Sequence, residues 1–283
     1  MRVITLIENQ APEGLEAEHG LSLYIEYGEK KYLLDTGSSG TFLRNARKLG
    51  VSIEEIDTAV LSHAHYDHAG GFREFAAHNQ KAAIWVREGA AENCYRKTPG
   101  GEKYIGIPKG MLEDCKDRIR YAKGDCCLDP GVYLIPHKRP GAEMRGKRAQ
   151  MFIRTAKGDE TERFAHEQTL VFFCREGLAL FNSCSHSGIV QTVREVKDTF
   201  PGEHILAVFG GFHLMKGNPE IMNETEEEVR QIGVCLLEED IPYIYTGHCT
   251  GTKAFSILKD VLGERLMYLG TGVEAEFIQR ENM

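Results

Sequence analysis

Alternating apolar and polar positions dominate the first third of the chain. Residues 21–27 alternate, residues 28–30 contain a glycine and two charges, and residues 31–34 read KYLL, which predicts a β-hairpin. Helical spacing of apolar residues over 41–49 ends at Gly50, a residue typical of a helix C-terminus. Further apolar runs predict a strand, a helix and a strand at 58–61, 72–78 and 82–86. The N-terminal residues 1–8 are also predicted to form a strand.

The regular pattern is interrupted at residues 87 to about 150, where glycines, prolines, charges and four cysteines are mixed with weak periodicity. We interpret this part as an insertion or a long loop region that determines specificity. Strands and helices alternate again from residue 169 to the final strand at 267–269. Two halves of mixed strands and helices favour a layered α/β sandwich over a helical bundle.

Composition excludes several classes of protein. The chain has 283 residues, of which 42% are hydrophobic, and a formal net charge of −8, which argues against a nucleic-acid partner. No apolar run approaches the length of a membrane span, and Glu8 interrupts the N-terminal segment before a signal-peptide core could form. Eight cysteines without C-x-x-C spacing then predict free thiols in a reducing cytoplasm. The oligomeric state stays open, a homo-oligomer included.

Three histidines and an aspartate lie within the six residues 63–68, which read HAHYDH. Side chains repeat every second residue along an extended strand end, so His63 and His65 are expected to point the same way. A turn through Asp67 and His68 then directs two more ligands at a second ion. Imidazole nitrogen and carboxylate oxygen suit Zn²⁺, and they also suit Fe, Mn, Co or Ni. The segment therefore predicts a metal site.

Further candidate ligands follow later strands. His186 comes after the strand predicted at 178–181, His213 after 205–209, and His248 after 243–245. Each histidine sits just beyond a strand end, so the three are expected to converge on one face of the sheet. His166 precedes a strand and is a weaker candidate that could replace His186, whereas His19, His78, His137 and His204 are expected at the surface.

The string HAHYDH resembles the H-x-H-x-D-H motif of the metallo-β-lactamase superfamily. Residues 33–37, LLDTG, are similar to a second motif of that family, in which the aspartate (Asp35 here) supports the metal loop. The segments at Cys184–Gly188, Gly210–Leu214 and His248–Gly251 are similar to one branch, the 7,8-dihydropterin-6-methyl-4-(β-D-ribofuranosyl)aminobenzene-5′-phosphate synthase-like proteins. The resemblance covers residues 3 to about 273.

The resemblance implies a four-layer αββα sandwich, with two mixed sheets flanked by helices, in one domain over residues 1–283. It also implies two divalent metal ions, with Zn²⁺ favoured over Fe, Mn or Ni. The implied ligands are His63, His65, Asp67, His68, His186 and His248. The family's usual bridging aspartate is missing, because the matching stretch reads FNSC at residues 181–184. Cys184 could supply a thiolate there, or His186 could take over. Three roles stay open for His213, namely metal ligand, general acid and substrate contact.

The implied activity is hydrolysis. A metal-bound hydroxide attacks an ester or phosphoester of a small molecule, with Asp67 and His213 as catalytic residues and a phosphorylated or pterin-like substrate. Three alternatives remain. One is a redox protein similar to flavo-diiron proteins without a flavin domain, and another is a non-catalytic metal-binding or ligand-binding module. The third is an aspartic protease, because residues 35–39 read DTGSS, although no second aspartate string is present.

Overall fold

The computed structural model describes residues 1–280 of the chain. Two seven-stranded sheets form its centre. The first sheet contains β1 (Arg2–Ile7), β2 (Ser22–Tyr27), β3 (Lys30–Leu34), β4 (Thr58–Val60), β5 (Ala83–Arg87), β8 (Ile119–Ala122) and β18 (Glu274–Glu276). The second sheet contains β9 (Cys126–Asp129), β10 (Val132–Pro136), β13 (Gln168–Cys174), β14 (Gly177–Phe181), β15 (Ile205–Phe209), β16 (Tyr243–Thr246) and β17 (Leu266–Tyr268).

The two sheets have the same plan of mixed pairing. The first has the order β18-β1-β2-β3-β4-β5-β8, with parallel pairs from β3 to β8 and antiparallel pairs elsewhere. The second has the order β17-β16-β15-β14-β13-β10-β9, with parallel pairs from β17 to β14. A third, antiparallel sheet has the order β12-β11-β6-β7. Its strands are β6 (Cys94–Thr98), β7 (Gly101–Tyr104), β11 (Met151–Thr155) and β12 (Gly158–Thr161).

Helices complete the outer layers and several of the connections between strands. They are α1 (Thr41–Lys48), α2 (Tyr66–Ala69), α3 (Phe72–His78), α4 (Met111–Asp114), α5 (Ala142–Ala149), α6 (Ile189–Thr199), α7 (Glu226–Glu238) and α8 (Thr252–Leu262), with short 3₁₀ turns at Ile53–Glu55, His248–Thr250 and Gly263–Arg265. Among residues 1–280, no helix combines the length and the apolar character needed to cross a membrane. All eight cysteines lie in this part of the chain, and none forms a disulfide.

Side-chain alternation along the strands creates three separate cores. On β13, Leu170 and Phe172 point between the two sheets, whereas Val171 and Phe173 point towards the helices behind the second sheet. On the other side, Phe42 of α1 packs in the core that covers the outer face of the first sheet. The layers are therefore helix, sheet, sheet and helix, so the expected four-layer αββα sandwich is confirmed.

Residues 87 to about 150 do not form a long loop, and their interpretation as an insertion that determines specificity stays a prediction. This stretch contains β8, which extends the first sheet, and β9 and β10, which extend the second. Its weak periodicity has a physical reason, because these are short strands near sheet edges in which polar residues face solvent. Among the strands of this stretch, β6 and β7 form a hairpin that belongs to the third sheet and not to the two large ones. That hairpin lies over the site described next.

Candidate metal centre

The predicted site residues lie at the carboxyl ends of strands, as the sequence suggested. Asp35 follows β3 and His63 follows β4, while the three later histidines follow β14, β15 and β16. Because the strands within each of these sets run parallel, their carboxyl ends meet at one edge of the sandwich. The predicted metal ligands fall into two groups of three.

The first group consists of His63, His65 and His186. One ring nitrogen from each lies within 4.8 Å of the other two, and all three rings are buried. His65 Nδ1 is 3.1 Å from His186 Nε2, and His63 Nε2 has no hydrogen-bond partner among residues 1–280. Buried polar atoms without partners are rare, so an unpartnered nitrogen aimed at two others indicates a position for a cation.

The second group consists of Asp67, His68 and His248. His248 Nε2 lies 3.2 Å from His68 Nε2 and 3.4 Å from Asp67 Oδ2. The distance from His68 Nε2 to the same carboxylate oxygen is 3.7 Å. Two nitrogens on one zinc ion at ~2.0–2.1 Å in a tetrahedron would be about 3.3 Å apart. The distances of the second group, and that between His65 and His186 in the first, are therefore close to the spacing of two ligands on one zinc-sized ion.

Cys184 lies between the two groups. Its Sγ atom is 3.2 Å from His68 Nε2, and it also falls within 4.8 Å of the ligand nitrogen of His63. Cys249 lies directly behind it, with the two sulfur atoms 3.2 Å apart. Burial raises the pKa of the Cys184 thiol well above its usual range. A thiol in this position becomes a thiolate only when a cation compensates the charge.

The proton positions on the histidines follow from their hydrogen bonds. Asp35 Oδ2 is 2.8 Å from His68 Nδ1, and a carboxylate can only accept, so His68 carries its proton on Nδ1. Ser62 Oγ donates to Asp35 at 2.6 Å and therefore accepts from His63 Nδ1 at 2.8 Å. Both histidines are left with a free lone pair on Nε2, the atom that faces the centre. This is the tautomer that metal binding at Nε2 requires.

His248 is held in the same way by a residue that the sequence did not indicate. Its Nδ1 is 3.0 Å from Asn9 Oδ1, and Gly20 N donates to that oxygen at 3.2 Å. Because the oxygen is an acceptor, His248 Nδ1 donates and Nε2 is free. The Glu8 carboxylate accepts from the backbone N–H of His248, and Glu167 accepts from that of His186 at 2.7 Å.

Electrostatics favour an ionised aspartate and neutral forms of His65 and His248, whereas Asp35 and Asp67 raise the pKa of His68 against the effect of burial. Burial lowers the pKa of His65 to about 3 and that of His248 to about 4. Burial alone would raise the pKa of Asp67, but His68, His19 and His248 hold it well below its usual range. Neutral imidazoles and a carboxylate are the protonation states that bind divalent ions.

Backbone strain is concentrated in the same place. Asp35, Ser185, His213 and His248 all adopt positive φ angles between 48° and 62°. Such conformations cost about 1–3 kcal/mol each and persist where the surrounding structure enforces them. Gly70 and Gly71 have ordinary φ angles, −62° and −97°, so their role is close packing rather than an unusual turn.

His213 occupies a different position from the two groups. The centre of its ring lies 4.1 Å from that of His186, with the two planes tilted by 46°, and neither of its ring nitrogens has a partner among the described residues. Burial lowers its pKa well below the usual range. The ring lines a cavity of about 550 Å³ together with His65, Asp67, Cys184 and His186. A neutral imidazole with a free N–H facing this cavity can donate to a bound molecule.

Two further sequence hypotheses concern His166 and Asp35. His166 Nδ1 accepts from the backbone N–H of Ala64 at 3.1 Å, so its proton is on Nε2, which lies 3.6 Å from Cys94 Sγ. A ring nitrogen of His166 also falls within 4.8 Å of ligand atoms of His65 and Cys94, so a role of His166 as a ligand stays a prediction. The Asp35 carboxylate accepts hydrogen bonds from Ser62 and His68. An aspartic protease requires instead a second aspartate that shares a proton with the first.

His19 was expected on the surface, and it is exposed, but its Nε2 lies 3.3 Å from Asp67 Oδ2 at the edge of the cavity. No sequence pattern surrounds it. Its contact depends on the fold of residues 8–20 over the metal loop.

Comparison with known proteins identifies the family. Residues 15–156 match the family model of the Metallo-beta-lactamase superfamily. The chain is 25% identical to the 7,8-dihydropterin-6-methyl-4-(beta-D-ribofuranosyl)-aminobenzene-5′-phosphate synthase of Methanocaldococcus jannaschii, over 98% of this chain and 97% of that protein. The resemblance drawn from the motifs is confirmed.

Two solved structures share the fold. The crystal structure of a metal-dependent hydrolase of the beta-lactamase superfamily matches with a TM-score of 0.82 and 29% identity, over 98% of both chains. Zn²⁺-bound PqqB from Methylobacterium extorquens matches with a TM-score of 0.56 and 11% identity, over 98% of this chain and 100% of that one. The second likeness concerns the fold alone.

Proposed function

This chain belongs to the metallo-beta-lactamase superfamily of metal-dependent hydrolases, and we propose that it holds two divalent metal ions and hydrolyses an ester or phosphoester of a small molecule. The observation that carries the proposal is the pair of donor groups, in each of which three ligand atoms lie within 4.8 Å of one another. Zn²⁺ suits the nitrogen, oxygen and sulfur donors, and Fe, Mn or Ni also fit the nitrogen and oxygen donors.

We assign the first ion to His63, His65 and His186, and the second to Asp67, His68 and His248. Cys184 stands beside both groups, where a thiolate would replace the aspartate that the sequence lacks. Asp35 and Asn9 orient His68 and His248 through their Nδ1 atoms.

Two divalent ions held by these residues would supply a water of lowered pKa and would polarise the carbonyl or phosphoryl oxygen of a substrate. The chain's own residues supply the rest. The Asp67 carboxylate stays ionised beside three histidines and can accept a hydrogen bond from the attacking water. His213 is neutral and unpartnered in the cavity, so its N–H can donate to the oxyanion or to the leaving group.

The substrate is proposed to be a phosphorylated or pterin-like small molecule. The cavity volume of about 550 Å³ lies in the range of small-molecule sites, ~300–1,000 Å³. The similar protein from Methanocaldococcus jannaschii is named for a phosphorylated pterin product, which supports this class.

The test is metal content together with turnover. Elemental analysis is expected to give two ions per chain in the purified, metal-loaded protein and fewer than two in both His68→Ala and His248→Ala. His78→Ala is the matched control, because that histidine lies exposed on α3 and contacts only the carbonyl of Glu74.

Turnover is measured on bis-p-nitrophenyl phosphate and p-nitrophenyl acetate, with and without a chelator. Chelator-sensitive hydrolysis of either ester supports the proposal. Stoichiometric metal without turnover of either substrate would favour a non-catalytic binding module, and unchanged stoichiometry in both alanine variants would contradict the ligand set.

A further inference from the structure

The hairpin of β6 and β7 covers the cavity with one of its two faces. Arg96 and Thr98 of β6 and Lys103 of β7 line the cavity, as does Met151 of the neighbouring strand β11. The register explains this set, because Arg96 pairs directly with Lys103 across the hairpin and with Met151 on the other side. Successive side chains alternate between faces, so these residues share the face towards the metal centre.

The two faces of this hairpin differ in how their charges are paired. On the outer face, Lys97 lies opposite Glu102, and Glu102 accepts from Arg154 at 2.8 Å. On the cavity face, two cations, Arg96 and Lys103, lie directly opposite each other. Like charges at opposed positions destabilise a strand pair. The cavity face therefore carries an arrangement that weakens the hairpin.

No carboxylate relieves that repulsion. Among residues 1–280, neither Arg96 nor Lys103 lies within ion-pair distance of an acidic group, although Arg154 of the same sheet contacts both Glu102 and Asp159. Lys103 Nζ sits 5.3 Å from the centre of the Tyr66 ring. The carboxylate that lines the cavity is Asp67, and it already faces His19, His68 and His248. The chain as a whole has a net charge of −8. Two cations without ion-pair partners on the face towards one cavity therefore indicate a position for an anionic group.

We propose that Arg96 and Lys103 bind a phosphate group of the substrate within the cavity that they line together with His65 and Asp67. This inference rests on the proposed function and names the group that determines its specificity. A phosphate dianion matches two adjacent cations in charge, and the guanidinium of Arg96 can donate two hydrogen bonds to it. The hydrolysed bond lies at the metal centre, and the bound phosphate is a separate group of the same molecule.

The experiment measures binding of phenyl phosphate by calorimetry, with the metal-loaded protein and with the Arg96→Gln and Lys103→Gln variants at equal metal content. Each variant is expected to weaken binding by roughly tenfold or more, the loss typical of one charge-assisted hydrogen bond. Lys97→Gln is the matched control, because it removes a charge from the same strand on the opposite face, and its affinity should equal that of the parent.

Thermal stability separates a binding role from a structural one. Because Arg96 and Lys103 repel each other, either glutamine variant is expected to keep or raise the melting temperature of the parent protein. A lowered melting temperature with unchanged phenyl phosphate affinity would overturn the proposal. Benzoate serves as the second probe, and equal weakening of benzoate and phenyl phosphate would show a carboxylate site and overturn the phosphate assignment.

The binding measurement needs no turnover, so it distinguishes this inference from the proposed hydrolysis. Selective loss of phenyl phosphate binding in a protein that hydrolyses no ester would retain the phosphate site and contradict the hydrolase. Chelator-sensitive hydrolysis together with equal phenyl phosphate affinities in all variants would retain the hydrolase and contradict the phosphate site.

Discussion

Asp35 Oδ2 lies 2.8 Å from His68 Nδ1, and both side chains are completely buried. The contact fixes the proton of His68 on Nδ1 and leaves Nε2 free to bind a metal ion. Asp35 also accepts from the backbone N–H and the hydroxyl of Ser62, so one carboxylate organises the loop that carries the metal groups.

Asp35→Asn is expected to reduce metal affinity. The new amide can donate to His68 Nδ1, which moves the proton of that ring to Nε2 and blocks the ligand atom. Loss of such a supporting carboxylate typically costs ~10–100-fold in affinity. A competition titration with a fluorescent zinc chelator measures the change. Asp159→Asn, at an exposed ion pair with Arg154, is the control, and equal affinities in the two variants would contradict this role for Asp35.

Replacing zinc with cobalt tests the position of Cys184. If its sulfur binds an ion next to His68, the cobalt-loaded protein will absorb in the near ultraviolet through a sulfur-to-metal charge-transfer band, because thiolates are soft, electron-rich ligands. The band is expected to disappear in Cys184→Ser and to persist in Cys94→Ser, whose sulfur contacts His166 instead. A spectrum without the band in the parent protein would exclude Cys184 as a ligand.

Gly70→Ala tests the close packing of the metal loop against residues 35–39. A Cβ atom at Gly70 would lie 2.1 Å from the backbone oxygen of Ser38, so the backbone would have to move. We expect a loss of about 1–3 kcal/mol or more in the free energy of unfolding, measured with urea. Gly100→Ala is the control, because an added Cβ there meets no atom within 4 Å. Equal stability of the two variants would mean that the loop can shift at little cost.

The local part of the site could be predicted from the sequence because its chemistry is concentrated in residues 63–68. His186, His213 and His248 could also be placed at strand ends, since each follows an apolar run. In the two large sheets, strands that are buried on both faces could be predicted from their apolar runs. The hairpin of β6 and β7 was missed because it lies outside those sheets and most of its residues are partly exposed.

Apart from Asp35, which a motif indicated, the supporting residues could not be predicted, because their roles depend on contacts between distant parts of the chain. Asn9 fixes the proton of His248 across 239 positions, and Glu8 accepts from the backbone of the same residue. Glu167 holds the backbone of His186 without any motif around it. Acceptors for backbone N–H groups need only an oxygen in the right place, so no residue pattern marks them in advance.

The ion pair of His137 and Glu195, remote from the metal centre, predicts a pH-dependent contribution to stability. Nδ1 of His137 lies 2.9 Å from Glu195 Oε1. Burial alone would lower the pKa of His137, but Glu195 raises it above the ordinary value of about 6.5. A raised pKa in the folded state means that the stabilisation is fully present below about pH 6.5. It is lost as the pH rises through the folded-state pKa.

We therefore compare urea unfolding of the parent protein and His137→Gln at about pH 5.5 and about pH 9, with saturating zinc in both. The parent is expected to exceed the variant in stability by more at the lower pH, because only there is the imidazolium paired with Glu195. His78→Gln, on the exposed end of α3, is the matched control for replacing a histidine. A difference between parent and His137→Gln that stays constant with pH, or grows towards pH 9, would mean that the neutral ring makes this contact and that Glu195 does not hold a proton on His137.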